Sequence, residues 1–387
     1  MAEKTDAIIK HYLNNAGAGL MSPETMSTVV NYLKLERKVG AYRAARESKK
    51  EMEAFYERAV RTVAGSDPSQ IAFADSASRA WNMALYGMKF EKGDRIVTLS
   101  SEFGTNLLSL FYRASQVGAS VVVIRADETG GFDINDLAKE VEKGARVVAI
   151  SHAAAQSSIV NPVKQIGQIA KRNGALYVVD GCQAVGQIPV DVKSIRCDAY
   201  TATGRKWLRG PRGTGFLYVN PSSQLKAEQI DLSAADFVLN NKTRAAGVKV
   251  RKDARQFELW ERSVAGMLGL SSAMDEFLKK KVSSINRRIS AYANRIRKEV
   301  SANDNLNLLG QAKSESGVVG FYARDARKEK LLLEKFEKEG IEISIMHDWD
   351  CPLYFPRTGV TSIFRLSPHY YTPESSIDAA CEVISKA

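Results

Sequence analysis

No apolar run in this 387-residue chain reaches the length needed to cross a bilayer, which argues against a membrane-spanning helix and a membrane partner. The opening Met-Ala-Glu-Lys-Thr-Asp lacks the apolar core of a secretory signal. Cysteine is scarce: the four, at 182, 197, 351 and 381, show no paired CxxC spacing and read as free thiols of a cytoplasmic protein. The four histidines are scattered, so no metal site is expected. There is no internal repeat and no low-complexity tract. Acidic residues fall short of basic ones, leaving a net charge of +11, much of it in 279–281 and 287–298. There Ile285, Ile289, Tyr292 and Ile296 recur at helical spacing with the charges between them, which is the pattern of a solvated helix face. No nucleic-acid motif accompanies the charge, so no nucleic-acid partner is expected.

What is present is a large globular chain, 44% hydrophobic, of a size that suits two domains. A short helix is expected over 1–12, followed by a small-residue loop (Asn-Asn-Ala-Gly-Ala-Gly) and a helix that starts at Ser22-Pro23-Glu24 and runs to about residue 63. Short apolar runs at 71–74, 95–99, 121–124, 146–150, 176–179 and 199–202 then alternate with helical segments such as 106–116, 134–142 and 163–173. This alternation predicts a mainly parallel sheet wrapped by helices, with ligands beyond the carboxyl ends of the strands. Residues 221–263 read as irregular, 264–302 as two helices, and strands are expected at 318–322, 342–345 and 362–366 with helices at 328–339 and 373–386. The expected division is an N-terminal segment (1–20), a large α/β domain (21–260) and a smaller α+β domain (261–387).

The stretch 177–219 concentrates the chemistry. It begins Tyr-Val-Val-Asp-Gly-Cys-Gln and closes on Gly204-Arg-Lys-Trp-Leu-Arg-Gly-Pro-Arg-Gly-Thr-Gly. Its first apolar run delivers Asp180, with Gln183 just beyond, and its second delivers Thr203, then Arg205 and Lys206. Pyridoxal phosphate chemistry needs this pair of functions: an amine that forms a Schiff base with the cofactor aldehyde, and a carboxylate that keeps the pyridine nitrogen protonated. Gly-Arg-Lys alone also fits a nucleotide-binding turn or surface charge after a strand. The ordered set Asp-x-x-Gln, Thr-x-Arg-Lys, Gly-Pro-x-Gly-x-Gly points to the cofactor.

From Tyr12-Leu-Asn-Asn-Ala-Gly to Arg365-Leu-Ser-Pro-His-Tyr-Tyr, the chain resembles the class V aminotransferase group of fold-type I pyridoxal phosphate enzymes. That group includes cysteine desulfurases, isopenicillin N epimerase and hercynylcysteine sulfoxide lyase. The resemblance implies pyridoxal 5'-phosphate as cofactor, a small amino acid as substrate, and a homodimer whose site is completed by the segment 258–263. It makes Lys206 the Schiff-base lysine, Asp180 the partner of the pyridine nitrogen and Gln183 the donor to the phenolic oxygen. Ala77 and Ser78, at a helix start, and Thr203 and Arg205 would take the phosphate. Arg205 stands where many members have histidine, and an arginine keeps the role with a permanent charge. Phe103 falls where most members stack a histidine on the ring. It can stack there, but it cannot move protons. Arg365 would pair with the substrate carboxylate, with Asn14 and Asn15 lining the same pocket.

Cys351 separates the sub-families. Cysteine desulfurases carry a nucleophilic cysteine at similar spacing before the carboxylate-binding arginine, and Cys351 lies 14 positions before Arg365. A reactive thiol needs access and positive surroundings, whereas Cys351 follows Asp348-Trp-Asp350. The segment 39–45 (Val-Gly-Ala-Tyr-Arg-Ala-Ala) resembles a stretch of the sulfoxide lyases. The expected reaction is therefore β-elimination at a carbon–sulfur bond. The alternatives are desulfuration by Cys351, epimerisation or transamination, and a non-catalytic binding protein.

Overall fold

The computed structural model describes residues 9–240, 242, 245–355 and 360–387. After a short strand β1 (His11–Tyr12) comes the central sheet. It is built from β2 (Ile71–Ala74), β3 (Arg95–Leu99), β4 (Ser120–Ile124), β5 (Val147–Ser151), β6 (Leu176–Asp180), β7 (Ala199–Thr203) and β8 (Gly215–Val219), in the order β2-β8-β7-β6-β5-β3-β4. Pairing is parallel from β7 through β6, β5 and β3 to β4, while β8 runs antiparallel between β2 and β7. The sheet is thus mainly parallel, as the alternation predicts, with one reversed strand that the sequence pattern did not single out.

Both faces of this sheet are covered, which is why its strands read as continuous apolar runs. Successive residues of β5 and β6 alternate between two cores. Val148, Ile150, Tyr177 and Val179 pack with Ile166 and Ile169 of the helix Val163–Arg172. Val147, Ala149 and Val178 pack with Trp81 and Leu85 of the helix Ala77–Tyr86 and Leu110 of the helix Gly104–Val117.

The rest of the chain adds a hairpin, β9 (Ala235–Asn240) with β10 (Ala245–Val250), and a second sheet. The hairpin corrects the irregular reading of 221–263. The second sheet holds β11 (Leu306–Leu309), β12 (Val319–Ala323), β14 (Ser344–Met346) and β15 (Ile363–Leu366), antiparallel in the order β11-β12-β15-β14. Between β12 and β14 in sequence, β13 (Ile341–Glu342) pairs in parallel with β1. His11–Tyr12 is therefore a strand rather than the end of a helix, and residues 1–8 lie outside the described residues.

The helix Val282–Ala302 buries Ile285, Ile289, Ala293, Ile296 and Val300, as the spacing predicts. One basic residue of that helix departs from the solvated face. Arg297 is fully buried, donates to the carbonyls of Ser316 and of Val318 (2.9 Å), and so ties the helix to the entry of β12.

A single buried carboxylate anchors the segment 254–263 to the central sheet. Glu258 accepts from the amide of Phe73 in β2 (2.7 Å) and from the Tyr56 hydroxyl (2.9 Å), and pairs with Arg262. Removing it leaves a buried amide, a buried phenol and a cation without their acceptor. Glu258→Ala is expected to cost about 3 kcal/mol of stability, and Glu258→Gln less, read from urea unfolding midpoints. Equal midpoints for Glu258→Ala and the parent would show that the anchor contributes nothing.

Candidate active site

Parallel pairing brings the ends of β3, β5, β6 and β7 to one edge of the sheet. The register sets Ser151 beside Asp180 and Asp180 beside Thr201. Next to them β8 enters at Gly215, opposite both Thr203 and Ala74, because its direction is reversed. A Cβ on Gly215 would lie 2.5 Å from the Ala202 carbonyl oxygen and 3.2 Å from the Ala77 nitrogen, so only glycine lets the helix Ala77–Tyr86 start this close to the sheet. Ser76 caps the Arg79 amide, which leaves the amides of Ala77 and Ser78 with no partner inside the helix. An anion would be favoured there.

Asp180 is held firmly. Its Oδ2 accepts from Asn106 Nδ2 (2.9 Å) and its Oδ1 from the Cys182 amide (2.9 Å). Cys182 itself lies within electrostatic reach of Asp180, Lys206 and Arg205, and burial, then Asp180, pushes its thiol well above the ordinary range. Lys206 follows β7 and forms no ion pair among the described residues. Its Nζ stands 6.0 Å from the centre of the Phe103 ring. Burial lowers its pKa, and the neighbouring Arg205 and Arg365 act in the same direction against Cys182 and Asp180. An amine held this way reaches its neutral, nucleophilic form more readily than a surface lysine. Burial and then Arg212 likewise lower Arg205.

Arg365 in β15 is buried, 7% exposed. Its guanidinium has only weak neutral acceptors: the Ala155 carbonyl (3.3 Å), Ser344 Oγ (3.3 Å) and Met346 Sδ (3.5 Å). Its Nε–H has no partner among the described residues, and burial lowers its pKa to about 10. A buried cation without a carboxylate is costly, and a ligand carboxylate would satisfy it.

The loop before Ser22 closes over the site. The Gly19 amide donates to the Arg205 carbonyl (2.7 Å), and a Cβ on Gly19 would lie 2.5 Å from the Lys206 carbonyl oxygen. Asn14 is half-buried with its Oδ1 unpartnered. Asn15 differs from the expectation: it is fully buried, its Nδ2 donates to the Ser367 carbonyl (2.7 Å), and its Oδ1 accepts from the Tyr371 hydroxyl. It fastens the N-terminal loop to the chain after β15 rather than lining a pocket. Gln183 also has contacts, donating to the Ala16 carbonyl (3.2 Å) and accepting from Trp207 Nε1 (2.8 Å), which leaves one amide hydrogen free. His152 is buried against the Tyr200 hydroxyl (2.7 Å) and burial lowers its pKa to about 4, as a structural histidine.

Cys351 is fully buried in an apolar cluster with Ala155, Leu309, Met346, Tyr354 and Phe355. Burial first, and Asp350 after it, push its thiol far up. The expectation named the carboxylates alone, but enclosure is the larger cause. Two side chains that the sequence reading missed complete the site. Glu102 lies just before the cap residue Phe103 and Asn106 in the first turn of the helix that follows, and Asn106 reaches both Glu102 and Asp180.

These residues fit pyridoxal phosphate: helix-start amides for a phosphate, a fixed carboxylate for a ring nitrogen, a buried lysine with a lowered pKa for an aldehyde, and a weakly partnered arginine for a carboxylate. The comparisons agree. The fold matches that of the cysteine desulfurase of Thermococcus onnurineus solved in its apo form, with TM-score 0.86 at 23% identity, over 97% of this chain and 94% of that one. It also matches the cystine C-S lyase C-DES solved with its product cysteine persulfide, with TM-score 0.84 at 18% identity over 97% of each chain. The architecture is that of the fold-type I pyridoxal phosphate enzymes. The chain belongs to the aminotransferase class-V family, whose model matches residues 11–380. Among curated relatives, a probable cysteine desulfurase of Methanothermobacter thermautotrophicus is 29% identical over 321 residues, 82% of this chain and 79% of that protein.

Arg365→Met offers a direct test of the unsatisfied cation. Exchanging a buried charge for an apolar side chain is expected to leave urea stability unchanged or raise it by about 1 kcal/mol. Affinity for an amino acid should fall by about 2–5 kcal/mol, with cofactor affinity kept. A destabilised variant that still binds the amino acid would show Arg365 to be structural.

Proposed function

We propose that the protein cleaves the carbon–sulfur bond of a cysteine-derived amino acid by β-elimination, with pyridoxal phosphate as cofactor. The observation that carries this reading is the complete enclosure of Cys351 in an apolar cluster, whereas Lys206, Asp180 and Arg365 lie within electrostatic reach of one another at the strand ends. When bound, the cofactor supplies an electron sink for the α-carbon of the amino acid. Arg365 takes the substrate carboxylate and fixes which substituent faces Lys206. Lys206 Nζ would hold the cofactor and, once the substrate amine has taken its place there, would be the free base that removes the α-proton. Phe103, whose ring centre lies 6.0 Å from Lys206 Nζ, would stack on the ring and has no proton to give, so the acid–base work would fall to Lys206. Asp180 keeps a proton on the ring nitrogen, and Gln183 offers its remaining hydrogen to the phenolic oxygen. Ala77, Ser78, Thr203 and Arg205 take the phosphate, and Asn14 borders the substrate. The Cα–H and Cβ–S bonds break, the thiolate leaves, and water releases the unsaturated product as pyruvate and ammonia.

We read the chain as a cytoplasmic homodimer with a cofactor domain at 21–260 and a smaller domain at 261–387. The exposed apolar side chains of the hairpin (Phe237, Val238, Leu239 and Val248), together with Trp260 beyond the anchored Glu258, support a second copy at this face.

The names of the relatives favour a second reading, in which Cys351 attacks the substrate sulfur. The test is incubation with L-cysteine, an S-substituted cysteine and its sulfoxide, with assays for pyruvate, sulfide and persulfide. Pyruvate from the S-substituted compounds, unchanged in Cys351→Ser and reduced about a thousandfold or more in Lys206→Ala, is the expected result. Alanine with enzyme-bound persulfide, abolished in Cys351→Ser, would establish desulfuration instead.

A further inference from the structure

Behind Asp180 lies a second carboxylate that the proposed reaction does not use. Glu102 is 1% exposed and forms no ion pair among the described residues. Its Oε1 accepts from the Ser151 amide (2.6 Å), and its Oε2 from Ser151 Oγ (2.6 Å) and Asn106 Nδ2 (3.4 Å). Asn106 Nδ2 also donates to Asp180 Oδ2 (2.9 Å), so both hydrogens of one amide nitrogen are shared between two buried carboxylates. Ser151, the other donor to Glu102, is the residue paired with Asp180 across β5 and β6.

We propose that Glu102 is a positioning residue. Acting through Asn106, it aims the bridging amide at Asp180 and places a second negative charge behind the carboxylate assigned to the cofactor's ring nitrogen. This rests on the pyridoxal phosphate reading above.

A purely structural reading accounts poorly for the side chain. A buried carboxylate without a cation is destabilising, and beside Asp180 the repulsion adds to that cost. A glutamine would fill the same space without charge. Its amide, however, would present a donor to Asn106 Nδ2, itself a donor, and would release the Asn106 amide from its present orientation. What the charge does is raise the proton affinity of its surroundings. A ring nitrogen beside Asp180 then holds its proton more tightly.

The titratable groups facing Glu102 are Asp180 and Tyr177 from β6 and Cys351 from the turn before β15. Burial pushes both the phenol and the thiol upward, so both stay protonated. Burial is also the largest cause of the Glu102 shift, to about 7, and the Ser151 donors oppose it. Glu102 is therefore charged above about pH 7 and neutral below it. In the unfolded chain the same group titrates near 4.5. The penalty of burying the charge is therefore absent below that value, grows as pH rises, and is complete above about 7.

Two readouts separate this role from simple packing. The first is the stability of the cofactor-free protein. Glu102→Gln relieves the buried charge, so its urea midpoint relative to the parent should rise between acid pH and about pH 8. The second is cofactor affinity. The ratio of the pyridoxal phosphate dissociation constants, variant over parent, should grow about tenfold between about pH 6 and about pH 8, the size of one unit in proton affinity. Asn106→Leu keeps Glu102 but cuts the bridge. It should show the weakened affinity and still lose stability as pH rises, over a window moved upward because a donor to Glu102 is gone.

A flat ratio in Glu102→Gln, with affinity unchanged in Asn106→Leu, would overturn the proposal while parent protein that binds the cofactor leaves the assigned function intact. Parent protein that does not bind pyridoxal phosphate would instead remove the reading on which the proposal rests. If Glu102→Gln does not fold, Asn106→Leu decides alone: parent-like cofactor affinity overturns the proposal, and weakened affinity supports it.

Discussion

The site depends on parallel pairing of β5, β6 and β7. Because these strands run the same way, their last residues reach one edge together, and Ser151, Asp180 and Thr201 become neighbours from positions far apart in the chain. The reversed strand β8 adds what a purely parallel sheet would not. It enters where its neighbours end, and Gly215 makes room for the start of the helix Ala77–Tyr86. The anion-binding helix end and the strand-borne side chains therefore share one wall. Glycine is required there because backbone and helix start approach too closely for a Cβ.

Within that wall the electrostatics are deliberately unbalanced. Lys206, Arg205 and Arg365 gather in a partly enclosed space with no carboxylate paired to any of them among the described residues, and each is held below its ordinary pKa chiefly by burial. Opposite them, Asp180 and Glu102 share the single amide of Asn106. Like charges kept this close destabilise the free protein, and the arrangement gains its compensation when an anionic cofactor and a carboxylate substrate enter. Stability comes from elsewhere: the two cores on either face of the sheet, and fastenings such as Glu258, Arg297 and Asn15.

Much of this was legible in the sequence because strand ends announce themselves. An apolar run that stops at Asp180, and another that stops before Arg205-Lys206, place those side chains at a carboxyl edge without knowledge of the partners. The parallel fold followed from the same alternation. What stayed hidden depends on contacts between distant segments. Glu102 looks like a loop acid until Ser151 and Asn106 are beside it. Asn15 adjoins Asn14 in the chain, yet the two side chains diverge, and the second is consumed by Ser367 and Tyr371. Arg297 sits among solvated charges by composition, but it faces the carbonyls of Ser316 and Val318. The hairpin at 235–250 was not legible because its apolar residues are exposed and carry no core pattern.

Carbon–sulfur cleavage without a cysteine nucleophile is the central claim, and it turns on where Cys351 stands when substrate is present. A crystal structure of Lys206→Ala with pyridoxal phosphate and an S-substituted cysteine shows this directly. The substrate carboxylate is expected on the Arg365 guanidinium, with the Cys351 sulfur still enclosed by Met346, Tyr354 and Phe355. A Cys351 sulfur turned out of that cluster and resting against the substrate sulfur would contradict it.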